Sequence, residues 1–115
     1  MADLDDKIKR KALAAAHLLN QMASVQAAYI FGSQVEGQAD SWSDIDVAAF
    51  MEQVETWDIQ QRAQAMTRVQ REVGYDLETH LFPARALEQA EAGSFAHYIL
   101  THGVCIYQRE ATTPA

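Results

Sequence analysis

Two acidic residues one position apart, Asp44 and Asp46 in Ser43-Asp44-Ile45-Asp46-Val47, open an apolar run just downstream of a glycine-flanked serine in Gly32-Ser33-Gln34-Val35-Glu36-Gly37. In an extended strand residues i and i+2 point to the same face, so both carboxylates can aim at one point while Ile45 turns inward. Paired carboxylates of this kind suit Mg²⁺, a hard cation that takes oxygen ligands and keeps water or substrate phosphates in its remaining positions. A pair of such ions can stabilise the attacking and leaving oxygens of an in-line displacement at phosphorus. A further acidic pair lies in Tyr75-Asp76-Leu77-Glu78-Thr79-His80-Leu81-Phe82, where alternation sets Asp76, Glu78 and His80 on one face. Carboxylates on an otherwise apolar strand call for a positive partner, and a metal is the natural one. His80 on that face could contact a nucleotide or position a nucleophile.

Several elements must hold these groups. A strand reading Ala27-Ala28-Tyr29-Ile30-Phe31 runs into Gly32-Ser33, where glycine allows a sharp turn and close approach to a ligand. A short helix or turn over Ser33 to Glu36 would present free N–H groups and the Ser33 hydroxyl to a triphosphate. The near-continuous apolar run Val47 to Met51 predicts a second strand buried on both faces.

Elsewhere the pattern is helical. Leu4, Ile8, Ala12, Ala15, Leu19 and Met22 form the stripe of an amphipathic helix from Asp3 to about Ala23. Thr56 is placed to cap a long helix to about Val73, with Ile59, Ala63, Met66, Val69 and Val73 as its buried side and Arg62, Arg68 and Arg71 as its solvated side; Gly74 ends it. The strand after it closes at Pro83. Ala84 to Ala92 reads as a short helix, and its Arg85 is the nearest basic candidate for phosphates. Ser94 caps a last helix through Thr101, Gly103 stops it, and Val104 to Tyr107 adds a short strand with Cys105 as an inert core residue. The tail from Arg109 onward is expected to fray.

The chain has 115 residues, which predicts one domain over 1–115, and 49% of them are hydrophobic, enough for a core. Nine basic and sixteen acidic residues give a net charge of -7, which argues against gripping long nucleic acid by counterion release. A single cysteine fits a reducing cytoplasm. No run reaches the roughly 20 apolar residues of a membrane span. The acidic start and the His17 interruption speak against a secretory signal. The expectation is a soluble cytoplasmic protein.

The order strand, Gly32-Ser33, Gly37, then Ser43-Asp44-Ile45-Asp46-Val47 on the next strand resembles the signature of the DNA polymerase β-like nucleotidyltransferase superfamily. Within it, so short a chain resembles the minimal nucleotidyltransferases, often encoded beside a HEPN-domain protein. The resemblance implies an α/β (α+β) fold with a mixed sheet flanked by helices. It implies two Mg²⁺ ions on Asp44, Asp46 and a third carboxylate, Glu78 or Asp76, with Glu78 favoured because it lies deeper in the strand. It also implies a nucleotide seated at Gly32, Ser33, Gly37 and Ser43. In one place this chain departs from the pattern, carrying Glu36 where relatives commonly have a basic residue.

The expected function is transfer of AMP from MgATP to a hydroxyl acceptor, on a HEPN partner protein, in an antitoxin role. The alternative is a weakly active or inactive binding module that neutralises a partner by complex formation, with Glu36 in its favour. Trp42, Trp57, Tyr29, Tyr98, Tyr107 and four methionines leave apolar surface for such a partner or for a homodimer.

Overall fold

A computed structural model describes residues 4–37, 39 and 43–109. The expected helix start at Asp3, Trp42 and the Ala-Thr-Thr-Pro-Ala tail lie outside the described residues. Helix α1 (Asp6–Asn20) begins where the Asp5 carboxylate accepts the Lys7 N–H at 2.8 Å, satisfying one of the free donors of the first turn. Its Ala12, Ala15, Ala16, Leu18 and Leu19 are buried, and the small residues let the helix lie close to the sheet.

The sheet has four strands in the order β3-β2-β1-β4. Strand β1 (Val25–Phe31) pairs antiparallel with β2 (Ile45–Met51) and with β4 (Val104–Gln108), whereas β3 (Leu77–Pro83) runs parallel to β2. A parallel neighbour requires a crossover, and α3 (Ile59–Glu72) supplies it. Asp58 is the cap of that helix: its carboxylate accepts the Gln61 N–H at 2.8 Å while the Gln61 side chain accepts the Asp58 N–H at 3.0 Å. The expected cap, Thr56, instead closes a 3₁₀ turn at Val54–Thr56.

With the helix starting at Ile59, its phase differs from the expected one. Ala65 and Val69 are buried, Met66 and Val73 half-buried, Ala63 is exposed and Ile59 stands 86% exposed. Arg62, expected on the wet side, turns back to donate to the Val54 carbonyl at 2.8 Å. That carbonyl also accepts the Trp57 N–H at 3.0 Å, so Arg62 braces a turn that is already closed.

Alternation divides the sheet between two cores. On one face Ile45, Val47, Ala49 and Met51 of β2 join Leu77, Ile30, Ala28 and Val25 beneath α1 and α3. On the other, Phe31, Ala48 and Phe50 pack against Ala96 and Ile99 of α5 (Phe95–His102), with Phe82 and Leu87 alongside. Strand β2 is therefore buried almost throughout, as its composition predicts. Ser94 caps α5 by accepting the His97 N–H at 3.2 Å. The helix expected between Ala84 and Ala92 is a single turn, α4 (Ala86–Gln89). Cys105 is exposed on the edge strand β4, and is not a core residue. No described helix is long and apolar enough to cross a membrane.

Candidate metal and nucleotide site

The polar end of the second face is where the chemistry gathers. The β2–β3 register sets Asp46 beside Glu78 and Ala48 beside His80, and β1 sets Phe31 opposite Asp46. Partners in register share a face, so Asp46, Glu78 and His80 converge at the entrance of β2 and β3. One ligand atom from each of the three lies within 4.8 Å of the other two. His80 Nε2 is 3.3 Å from Asp46 Oδ1, with the two side chains 26% and 23% exposed. Two carboxylates at this separation repel each other unless a cation lies between them, and the arrangement fits a divalent ion.

Aromatic rings fix the imidazole. His80 packs edge-on against Phe31 at 5.0 Å and Phe95 at 5.8 Å between ring centres, and Phe95 also meets Phe82 at 5.7 Å. Phe95 is half exposed, so the cluster forms an apolar wall beside the acidic group.

The turn between β1 and α2 (Ser33–Glu36) is shaped by the same carboxylate. Gly32 has φ +79°, a conformation in which L side chains are strained, and a Cβ placed there would come within 2.7 Å of Asp46 Oδ2. Glycine is required on both counts. Gly37 closes α2 in the left-handed region, its N–H donating to the Ser33 carbonyl. Gln34 ties this turn to the other half of the motif, its Nε2 donating to the Asp44 carbonyl at 3.3 Å.

Other sequence-predicted residues are not among Asp46, Glu78 and His80. Asp44 is exposed just before β2 and is not one of the three convergent residues. Asp76 precedes β3 and turns to α1, where Lys11 Nζ lies 2.9 Å from its Oδ2. Arg85 follows β3 at the opposite end of the sheet, where the Ala84 N–H donates to the Met51 carbonyl and Arg85 pairs with Glu55 at 2.9 Å. Two basic residues of α1, Lys7 and Lys11, line a cleft of about 340 Å³ with Gln34, Ser43, Ile45 and Asp76. Lys7 and Lys11 lie four apart in α1, a spacing that places both on one side of the helix and could have been read as a basic edge.

Glu36 is held by a hydrogen bond from the Tyr98 hydroxyl of α5. That bond to an anionic acceptor is the main cause of a raised Tyr98 pKa, with burial and the Glu36 charge adding to it. Nothing local in the sequence announces this pairing, whose partners are 62 residues apart.

Comparison with known proteins follows the same lines. A candidate nucleotidyltransferase from Sulfolobus solfataricus, solved by crystallography, is similar with a TM-score of 0.57 at 18% identity, covering 90% of this chain and 86% of that one. A crystal structure of a toxin-antitoxin with AMP-PNP is similar with a TM-score of 0.60 at 20% identity, covering 89% of this chain and 74% of that one. At these identities the likeness is one of fold. No curated protein matches. A family model described as "Polymerase beta, Nucleotidyltransferase" matches residues 14–112. Because that span runs from the middle of α1 to beyond β4, the chain belongs to the polymerase β nucleotidyltransferase family.

Proposed function

We propose that the protein transfers AMP from MgATP to a hydroxyl on a partner protein, a HEPN-domain toxin encoded nearby, and so acts as its antitoxin. The observation that carries the reading is the juxtaposition of Asp46 and Glu78 across the parallel β2–β3 register, directly beside the Gly32-Ser33 turn. In this reading Asp44, Asp46 and Glu78 hold Mg²⁺, which when bound neutralises phosphate charge and polarises the reacting phosphorus. Gly32, Ser33, Gly37 and Ser43 seat the triphosphate through backbone and hydroxyl contacts. The acceptor oxygen attacks the α-phosphorus in line, its O–P bond forming as the bond to pyrophosphate breaks. Glu78 takes the proton released by the hydroxyl. The wall of Phe31 and Phe95 keeps bulk water from competing as acceptor. Catalysis is then mostly positioning and charge neutralisation, as phosphoryl transfer generally is.

Support for a protein partner comes from the toxin-antitoxin structure that shares this fold, and from the charge of -7, which would attract a basic RNA-cleaving protein. The test is incubation of the protein with labelled ATP, Mg²⁺ and the neighbouring gene product, read by intact mass. An AMP-sized mass increase on the neighbour is expected, and its absence in the presence of a stable complex favours the second reading. That second reading, a module that neutralises by binding alone, draws on Glu36 being tied to Tyr98 and on Asp44 lying outside the convergent group.

A further inference from the structure

Three oxygens from carboxylates would make an all-oxygen cation site, but the third group that converges with Asp46 and Glu78 is an imidazole. We infer that His80 is a direct nitrogen ligand of the cation, and that it shifts the preference of this site from Mg²⁺ toward Mn²⁺. The inference rests on the reading of the site as a metal-dependent transfer centre and adds which ion that centre selects.

The geometry requires little movement. Two ligands each about 2.1 Å from one ion lie up to about 4.2 Å apart, and the donor atoms of Asp46, Glu78 and His80 already lie within 4.8 Å of one another. His80 Nε2 and Asp46 Oδ1 are 3.3 Å apart, long for a hydrogen bond and close to the separation of neighbouring ligands on one ion. The ring is oriented by Phe31 and Phe95, so Nε2 is aimed at the carboxylates by packing. The His80 and Asp46 side chains remain about a quarter exposed and Glu78 is exposed, which leaves an ion a way in.

The selectivity follows from ligand chemistry. Mg²⁺ prefers six hard oxygens and gives up water reluctantly for nitrogen. First-row transition ions accept imidazole more readily, and Mn²⁺ does so while still suiting carboxylates and phosphates. A set in which an imidazole joins the carboxylates therefore favours Mn²⁺ over Mg²⁺ by more than the carboxylates alone would.

Electron spin-echo modulation of Mn²⁺ bound to the wild-type protein tests this without reference to turnover. Modulation from a directly bound ¹⁴N is expected, and it should change to the ¹⁵N pattern when the four histidines are ¹⁵N-labelled. In His80→Gln the nitrogen signal should vanish and the Mn²⁺/Mg²⁺ affinity ratio should fall about tenfold or more, with Mg²⁺ affinity changed less. The labelled wild type reads out ligation even if the variant folds poorly, and His80→Asn serves as a second substitution. Mn²⁺ bound without nitrogen coupling, or an unchanged affinity ratio in a folded variant, overturns the role of His80 while leaving the transfer reading intact. Failure of wild type to bind either ion, with or without a non-hydrolysable ATP analogue, overturns both.

Discussion

The two faces of the sheet are built from the same strands but do opposite work. Beneath α1 and α3, the inward residues of β1, β2 and β3 are apolar, with Thr79 the one buried polar side chain among the described residues. On the α5 face, the same strands carry an aromatic core at one end and Asp46, Glu78 and His80 at the other. One residue along β2 or β3 switches from one environment to the other. The larger apolar core is thus on the closed face and the candidate ligands are at the uncovered end of the open one, so substitutions on the two faces should have separable effects.

The largest separation is expected at Asp46. If Asp46 holds the ion as proposed, Asp46→Asn should lower nucleotidyl transfer about 10³-fold, roughly 4 kcal/mol, while the melting temperature stays level or rises slightly as repulsion is relieved. Asp44→Asn should likewise abolish transfer if Asp44 joins the ion, and retention of more than about a tenth of the rate would remove it from the ligand set. On the closed face the effect reverses. Leu19→Ala, at a fully buried position, should cost about 3 kcal/mol in urea unfolding without changing transfer per folded molecule.

Smaller effects sharpen the contrast. The Thr79 hydroxyl is buried with no hydrogen-bond partner among the described residues, so Thr79→Val should stabilise by about 1 kcal/mol in thermal melts. The smallest effect belongs to Tyr98, which lies outside both cores. Its folded pKa is raised, so the bond to Glu36 contributes fully below the unfolded tyrosine value of about 10 and is lost as pH rises through the folded value. Tyr29 is also raised, chiefly by burial, so absorbance titration should show two late-ionising tyrosines, of which one disappears in Tyr98→Phe. A late component undiminished by the substitution, with the amplitude lost near pH 10 instead, would mean the bond is not maintained in solution.

Much of this division is legible in the sequence, because alternation along Ile45–Met51 and Leu77–Phe82 fixes which residues share a face. Alternation by itself is enough to group Glu78 with His80. What periodicity cannot supply is the pairing between distant segments. The Lys11 partner of Asp76 is 65 residues away, and only the packing of α1 against the β2–β3 edge brings them together. Arg85 follows the acidic strand closely in sequence, yet at about 3.3 Å per residue the length of β3 separates it from Glu78 by roughly 20 Å. The phase of α3 departs from the periodic reading for a local reason. Asp58 and Gln61 form the cap signature, so the helix begins after Asp58 and Ile59 falls in its first, exposed turn.

The parallel pairing of β2 and β3 has one more consequence, for the folding of the chain rather than its chemistry. Nothing in the backbone hydrogen bonds of a parallel pair distinguishes the native alignment from one shifted by a residue, and the α3 connection is long enough to permit the shift. Here such a slip would turn Glu78 and His80 into the core under α1 and α3, beside Val69 and Leu19, while Leu77 and Thr79 faced Asp46. A buried carboxylate without a partner costs several kcal/mol, so the misaligned sheet cannot compete. The acidic strand thereby acts as a ruler, admitting only the alignment in which its charges meet Asp46.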